Sequence, residues 1–275
     1  GWVVTRAVGG LVVTAAVGGL VVTRAVGGLV VGMSIRAPFF VYAATLTLAA
    51  LTAYFALPKG LGHPTKDTSE SAEVQEPAMA LRAALKFRAY WTALVVNLSN
   101  GMTSFGLRSA LIPLFVVSVL QKGPATSSYG FLATSVVQAS LLLPAGRMTD
   151  TKGRKPSMII GTLFLVVSML CLVASETLLG FYGAMIAMGV SAAFLGGAPS
   201  AVVGDVVDGR KGGPVVATFQ MMSDLGIILG PLLFGFLADS TGGFAWPFIA
   251  SLIVASATTI LVLFMPETRK PKIAE

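Results

Sequence analysis

The chain has 275 residues, of which 55% are hydrophobic and 11% charged, and its formal net charge is +7. Charged residues fall to less than half of the roughly 25% usual in soluble domains, which excludes an ordinary water-soluble domain and points to a membrane protein. The basicity does not indicate nucleic acid as a partner, because the Lys and Arg residues sit in short gaps between long apolar runs and are not gathered on one solvated face.

The chain opens on a repeat. "GGLVVTAAV", "GGLVVTRAV" and "GGLVV" follow one another from Gly9 to Val31, after "GWVVTRAV" at residues 1–8. In water such β-branched runs broken by Gly-Gly resemble a hairpin meander, whereas in lipid an open sheet edge is not tolerated and only a helix serves. Nine residues make 2.5 helical turns, so Arg6 and Arg24 fall on one face about 27 Å apart, enough for one membrane crossing between them. Residues 1–33 are therefore expected to form a repeat segment that crosses the membrane as a helix. They carry no basic n-region or cleavage site of a signal peptide.

A bilayer core about 30 Å thick needs about 20 apolar residues of helix. Seven further runs satisfy this: 38–57, 91–120, 128–146, 157–175, 178–203, 215–238 and 245–265. The expected organisation is all-α: a transmembrane helix within 34–57, a polar linker at 58–89, a six-helix transmembrane bundle at 90–266 and a tail at 267–275. The second half of the linker has the pattern of an amphipathic surface helix. The run 91–120 contains Gly101, Gly106 and Pro113, which predicts a kinked or locally unwound helix. Most of the nineteen basic residues fall in 58–88, 147–155, 210–211 and 269–272, while the alternate gaps hold only Arg36 and Lys122. Short cytoplasmic loops carry the excess of Lys and Arg, so the linker, the 147–155 turn and the C-terminus are expected on the cytoplasmic side of a plasma-membrane, multi-pass protein.

The densest charge lies in "GRMTDTKGRKP", residues 146–156. A short turn there must reverse the chain. Gly146 and Gly153 permit it, Asp150 can accept charge-assisted hydrogen bonds or face a helix N-terminus, and Arg154 and Lys155 stay in water. This stretch resembles the loop signature of the major facilitator superfamily, of general form G-x-L-x-D-x-x-G-R-K/R. Gly146, Asp150, Gly153, Arg154 and Lys155 match, while Met148 replaces the usual leucine and Thr151 the usual basic residue. "RAPFFVY" before the polar linker, "GIILGPLLFG" from Gly226 to Gly235 and "MPETRK" at the end of the last run agree with the same family. The resemblance implies that the seven runs correspond to helices 6 to 12 of a twelve-helix drug-efflux-type transporter, with the repeat in the place of helix 5 and helices 1 to 4 absent. It also implies that the charged turn acts as a cytoplasmic gate, and that the run 91–120 lines the central path.

Polar side chains inside spans are costly and usually face a bundle interior or water. Asn97, Asn100, Gly101, Ser104 and Arg108 share one helical stripe of the run 91–120, the best candidate for a cavity wall. Ser135 with Gln138, and Gln220 with Ser223 and Asp224, give shorter stripes. Arg108 and Asp224 are the charges farthest from a membrane edge; an ion pair, contacts to backbone carbonyls, or a role toward substrate or proton all suit them. Asp205, at the end of its run, suits a helix cap or a partner for Arg154. Gly226 and Gly230 allow close helix approach, and with Pro231 they resemble a glycine-proline element of antiporters. Cys171 is the single cysteine and His63 the single histidine, so no disulfide, zinc site or Ser-His-type nucleophile is expected, and no metal, cofactor or bond chemistry.

The expected function is secondary active transport: efflux of a small amphipathic substrate coupled to protons, by alternating access across the lipid bilayer. The chain is expected to be incomplete, with a second six-helix half or a second copy as partner. The alternative is a non-transporting remnant, or an accessory half that packs with another membrane protein.

Overall fold

In a computed structural model of the chain, residues 79–269 are described apart from 175, 176 and 209, together with the helical positions Ala43, Ala44, Thr47 and Leu51. The repeat at 1–33, most of the run 38–57 and most of the linker lie outside the described residues. Everything below belongs to the compact unit Pro77–Glu275.

Among the described residues the regular structure is helical throughout. A single turn, α1 (Leu81–Ala84), is all that appears there of the amphipathic helix expected in the linker. The first span runs from Arg88 to Ser118 as α2 (Arg88–Asn100), a π-helical stretch at Gly101–Leu107, and α3 (Arg108–Ser118). Then come α4 (Pro124–Thr151), α5 (Arg154–Ala174), α6 (Leu178–Leu195), α7 (Ala198–Val207), α8 (Gly213–Thr241) and α9 (Ala245–Leu263). With α6 and α7 counted as one broken helix, six spans are long and apolar enough to cross a membrane, and the chain is an all-α transmembrane bundle.

Local signals place the helix ends. Pro124 occupies the first turn of α4 after the extended Gly123, where its missing N–H costs nothing. Thr177 caps α6 by accepting the Gly180 N–H at 3.2 Å. Gly242 ends α8 at φ +66, a conformation open to glycine. The run expected at 178–203 is divided at Gly196–Gly197, and Pro199 starts its second piece.

Helix α5 packs along α6, and α6 also packs on α4; α9 covers α5, and α8 lies against α2 and the π-helical stretch. Two apolar clusters fill the bundle. One, beside the start of α2, includes Tyr90, Met158, Val202, Val203, Phe219 and Val262. The other, toward the opposite end, includes Leu107, Ile112, Phe115, Met169, Phe181, Phe234 and Phe248. Buried hydroxyls tie helices together where apolar packing gives no directional bond: Thr134 donates to the Met185 carbonyl at 3.0 Å, and Ser168 to that of Ala184 at 2.8 Å. Helices α4 and α8 are the least covered of the spans, 22% buried over their apolar stretch against 56% for the first span.

Among the described residues, Arg82, Lys86, Arg88, Arg147, Lys152, Arg154, Lys155, Arg210, Lys211 and Arg269 share one end of the bundle, and Lys122 lies at the other. The 128–146 run extends further than expected, to Thr151, because a helix end carrying Arg147 and Asp150 can project past the hydrocarbon into water.

Candidate functional site

Two sites emerge, one midway along the first span and one at its basic end. The first begins with a backbone crossing. A Cβ built on Gly226 would lie 2.3 Å from the Leu98 carbonyl oxygen, one on Gly230 2.6 Å from that of Met102, and one on Gly101 2.4 Å from that of Ser223. Each obstacle is backbone and has no way to swing aside, so only glycine permits this separation of the first span and α8. The packing role expected for Gly226 and Gly230 is thereby found.

Here the first span leaves α-helical geometry for the seven-residue π segment. Such stretches are uncommon and concentrate at functional sites. The change of winding explains why the expected stripe does not persist as one straight row. Asn97 turns to α8 and donates from Nδ2 to the Phe219 carbonyl at 2.7 Å. Asn100 has a buried Oδ1, and Ser104 a buried Oγ, with no hydrogen-bond partner. Arg108, half-buried, lays its guanidinium 4.9 Å from the Phe131 ring centroid of α4, an arrangement that offsets part of the cost of an intramembrane charge.

The other candidates divide. Gln138 on α4 is half-buried, and Ser135 beside it is buried with its hydroxyl on the Phe131 carbonyl at 2.9 Å. On α8, Ser223 is buried in the crossing, whereas Gln220 and Asp224 are exposed. The stripe read from Gln220, Ser223 and Asp224 is therefore split between two surfaces, and Asp224 forms no ion pair with a described residue.

At the basic end, of the two glycines expected to permit the turn, Gly153 makes it together with Lys152, and Gly146 does not. Gly146 lies inside α4 with open space around it, since α4 remains helical through Thr151. Gly153 has φ +121, a conformation that favours glycine, and a Cβ there would push the Glu267 carboxylate, 2.5 Å away, out of its place. Arg154 then gathers three elements. It bonds the Asp150 carboxylate at 3.0 Å, the Asp205 carboxylate on α7 at 3.1 Å and the Thr149 carbonyl at 2.6 Å. Asp205 thus serves as the partner for Arg154, one of the two roles the sequence suggested. Lys155 contributes its backbone: Glu267 accepts the N–H groups of Arg154 at 2.9 Å and Lys155 at 3.0 Å, capping α5 from beyond the end of α9.

The same tail is fastened twice more. Thr268 donates to Asp205 at 3.0 Å, and Arg269 bonds the Thr151 carbonyl. Burial alone would raise the pKa of Glu267, but its hydrogen bonds from the backbone of Arg154, Arg269, Lys155 and Thr268 outweigh that and hold it below the ordinary glutamate range. The Asp150 side chain, 76% exposed, is the part of this network that looks outward. Sequence reasoning noted "MPETRK" without finding that Glu267 caps a helix more than a hundred residues earlier. The available signal was negative: α5 begins directly after a glycine, which has no side chain to cap it.

Among the described residues no group of His, Cys, Asp and Glu has the makings of a metal site. A family model described as Major Facilitator Superfamily matches residues 97–275. The chain is similar to Multidrug resistance protein 2 of Bacillus subtilis, 29% identical over 178 residues that make up 62% of this chain and 44% of that protein. It is similar to the class H tetracycline resistance protein of Pasteurella multocida, 27% identical over 60% of this chain and 41% of that one. The hexuronate transporter of Bacillus subtilis is 32% identical over 38% of this chain and 28% of its own length. The chain spans a little under half the length of the multidrug resistance proteins it matches.

Proposed function

Because the chain belongs to the Major Facilitator Superfamily, we propose that it works as one six-helix half of a secondary transporter that exports small amphipathic compounds at the expense of a proton gradient. The observation that carries this reading is the π segment of the first span. Ser104 within it and Asn100 immediately before it have buried oxygens with no hydrogen-bond partner midway along a membrane helix, where polar groups are costly and concentrate at functional sites. The names of relatives support this substrate class: two are multidrug resistance proteins and one is a tetracycline resistance protein, although another is a hexuronate transporter.

In this reading Asn100, Ser104 and Arg108, with Asn97 and Gln138 flanking them, line the path. Gln220 and Asp224, exposed on α8, stand on the surface that a second bundle closes, and Asp224 is the charged group assigned to coupling. The second bundle, a first six-helix half or another copy, covers the outer faces of α4 and α8. The basic end is cytoplasmic, so the C-terminus is too, in the plasma membrane. Alternating access requires each half to rock as a body. The Arg154–Asp205 and Glu267 contacts join the ends of α4, α5 and α7 to the tail after α9, so that the half moves together while exposed Asp150 meets its counterpart across the cleft.

The test is flux. Vesicles containing the purified protein, alone and joined to a first half, are given a pH gradient and a panel of cationic and neutral dyes. At least one dye is expected to move, to stop when an ionophore collapses the gradient, and to slow at least tenfold in Asp224→Asn. Absence of gradient-dependent movement in every arrangement contradicts transport.

A further inference from the structure

Away from both sites, the basic end carries a groove of about 440 Å³ between α2 and α9, lined by Arg88, Trp91, Thr92, Val95, Leu261 and Phe264. That volume lies within the range of roughly 300–1,000 Å³ typical of small-ligand sites. Its chemistry is graded along the membrane normal. Arg88 is exposed at the mouth, where the span meets water. Trp91 is 52% exposed, Leu261 45% and Phe264 81%, a large apolar surface for one small region. Val95 lies seven residues, about 10 Å, further into the span than Arg88.

The walls are fixed and the polar groups inside are already satisfied. The Trp91 indole N–H donates to the Leu85 carbonyl at 2.8 Å, which holds the ring as a wall, and the Thr92 hydroxyl donates to the Arg88 carbonyl at 3.0 Å. What remains open is one guanidinium above an apolar trough. No acidic residue lines it. Arg82 and Lys86 stand exposed on the preceding turns, and none of these three cations is paired with a described carboxylate.

We propose that this groove binds an anionic phospholipid, with the phosphate on Arg88 and an acyl chain along Trp91, Val95, Leu261 and Phe264. Charge complementarity selects the headgroup, since basic pockets between spans at the basic face suit anionic lipids. Depth selects a lipid over a peptide. The groove descends from the water boundary into the hydrocarbon, where a peptide would leave backbone groups unsatisfied.

Trp91 supplies the probe. In a Trp2→Phe, Trp246→Phe variant it is the remaining tryptophan of three. The full chain is reconstituted in phosphatidylcholine vesicles in which a fixed minor fraction is either brominated phosphatidylglycerol or brominated phosphatidylcholine. Quenching of Trp91 should indicate about fivefold enrichment of the anionic lipid, the factor equivalent to ~1 kcal/mol per basic side chain near an anionic surface. Arg88→Gln should bring the two lipids within a factor of two, Arg88→Lys should retain most of the preference, and 1 M salt should weaken it. Circular dichroism confirms that each variant is folded. Equal quenching by both lipids in the parent, an undiminished preference in folded Arg88→Gln, or no quenching by either lipid because another element or a protein partner covers the groove, would each overturn the proposal.

Discussion

The crossing of the first span with α8 and the charged turn at the basic end hold the same bundle by opposite means. At the crossing, glycines bring two backbones together, and nothing there titrates or can move aside. At the turn, Arg154, Asp205 and Glu267 join elements far apart in sequence through charge-assisted bonds that a single amide substitution removes. Packing of the first kind makes the half a body. Bonding of the second kind fixes its ends and leaves the Asp150 side chain 76% exposed.

The largest effect is expected at the crossing. Gly226→Val places branched carbon against the Leu98 carbonyl, the Met102 N–H and the Gly101 Cα, and should lose well over the ~1–3 kcal/mol of ordinary overpacking, leaving little folded protein by size-exclusion. Gly146→Ala is the contrast. With open space around it inside α4, it should gain about 0.5–1 kcal/mol and raise the melting temperature slightly.

Next comes Arg154→Gln, which removes the charge from two carboxylates that are partly buried or outward-facing. A loss of about 1–3 kcal/mol is expected by thermal unfolding in detergent, with Asp205→Asn close behind it. A cost as small as that of an exposed pair, under about 0.5 kcal/mol for both, would mean that the turn is a topology marker and no latch.

Acid tests the same network with no mutation. Glu267 has a folded pKa below its unfolded value, so its contribution to stability is complete above the unfolded value and declines as pH falls through the folded one. The tail should therefore loosen only below about pH 4.3, the ordinary glutamate value. Solvent exchange of the Arg154 and Lys155 N–H groups, compared at each pH with Glu267→Gln, reads this, and Glu267→Gln should show the loosened state at neutral pH. The smallest structural effect belongs to Asp150→Asn, which should stay folded within ~1 kcal/mol yet slow transport cycling, while Lys152→Gln does little to either. Equal small effects on flux would remove Asp150 from the gate.

The fold was legible in the sequence because lipid leaves few options: apolar run length, charge placement and the Gly-Asp-Gly-Arg spacing each report a constraint that acts locally. Less of the site could be read. The stripe from Asn97 to Arg108 assumes α-helical winding, and the π segment packs against glycines more than a hundred residues later. The partnership of Glu267 with the start of α5 is likewise tertiary. It shows in the sequence only as a glycine where a capping side chain would otherwise stand. Asp205 was more accessible, because a carboxylate at a helix end on the basic side has few partners to choose from.

The central claim, that a water-accessible path runs beside the π segment, is tested most directly by thiol labelling at Arg108. In a Cys171→Ser background, Arg108→Cys is exposed to a membrane-impermeant maleimide in vesicles, with and without a pH gradient and a transported dye. Labelling should occur in at least one condition and change rate by severalfold between conditions, while Arg108→Ala inserts normally but loses or alters dye movement. Failure to label in every condition, together with normal transport by Arg108→Ala, would show that Arg108 serves packing alone and that no path follows this face of the span.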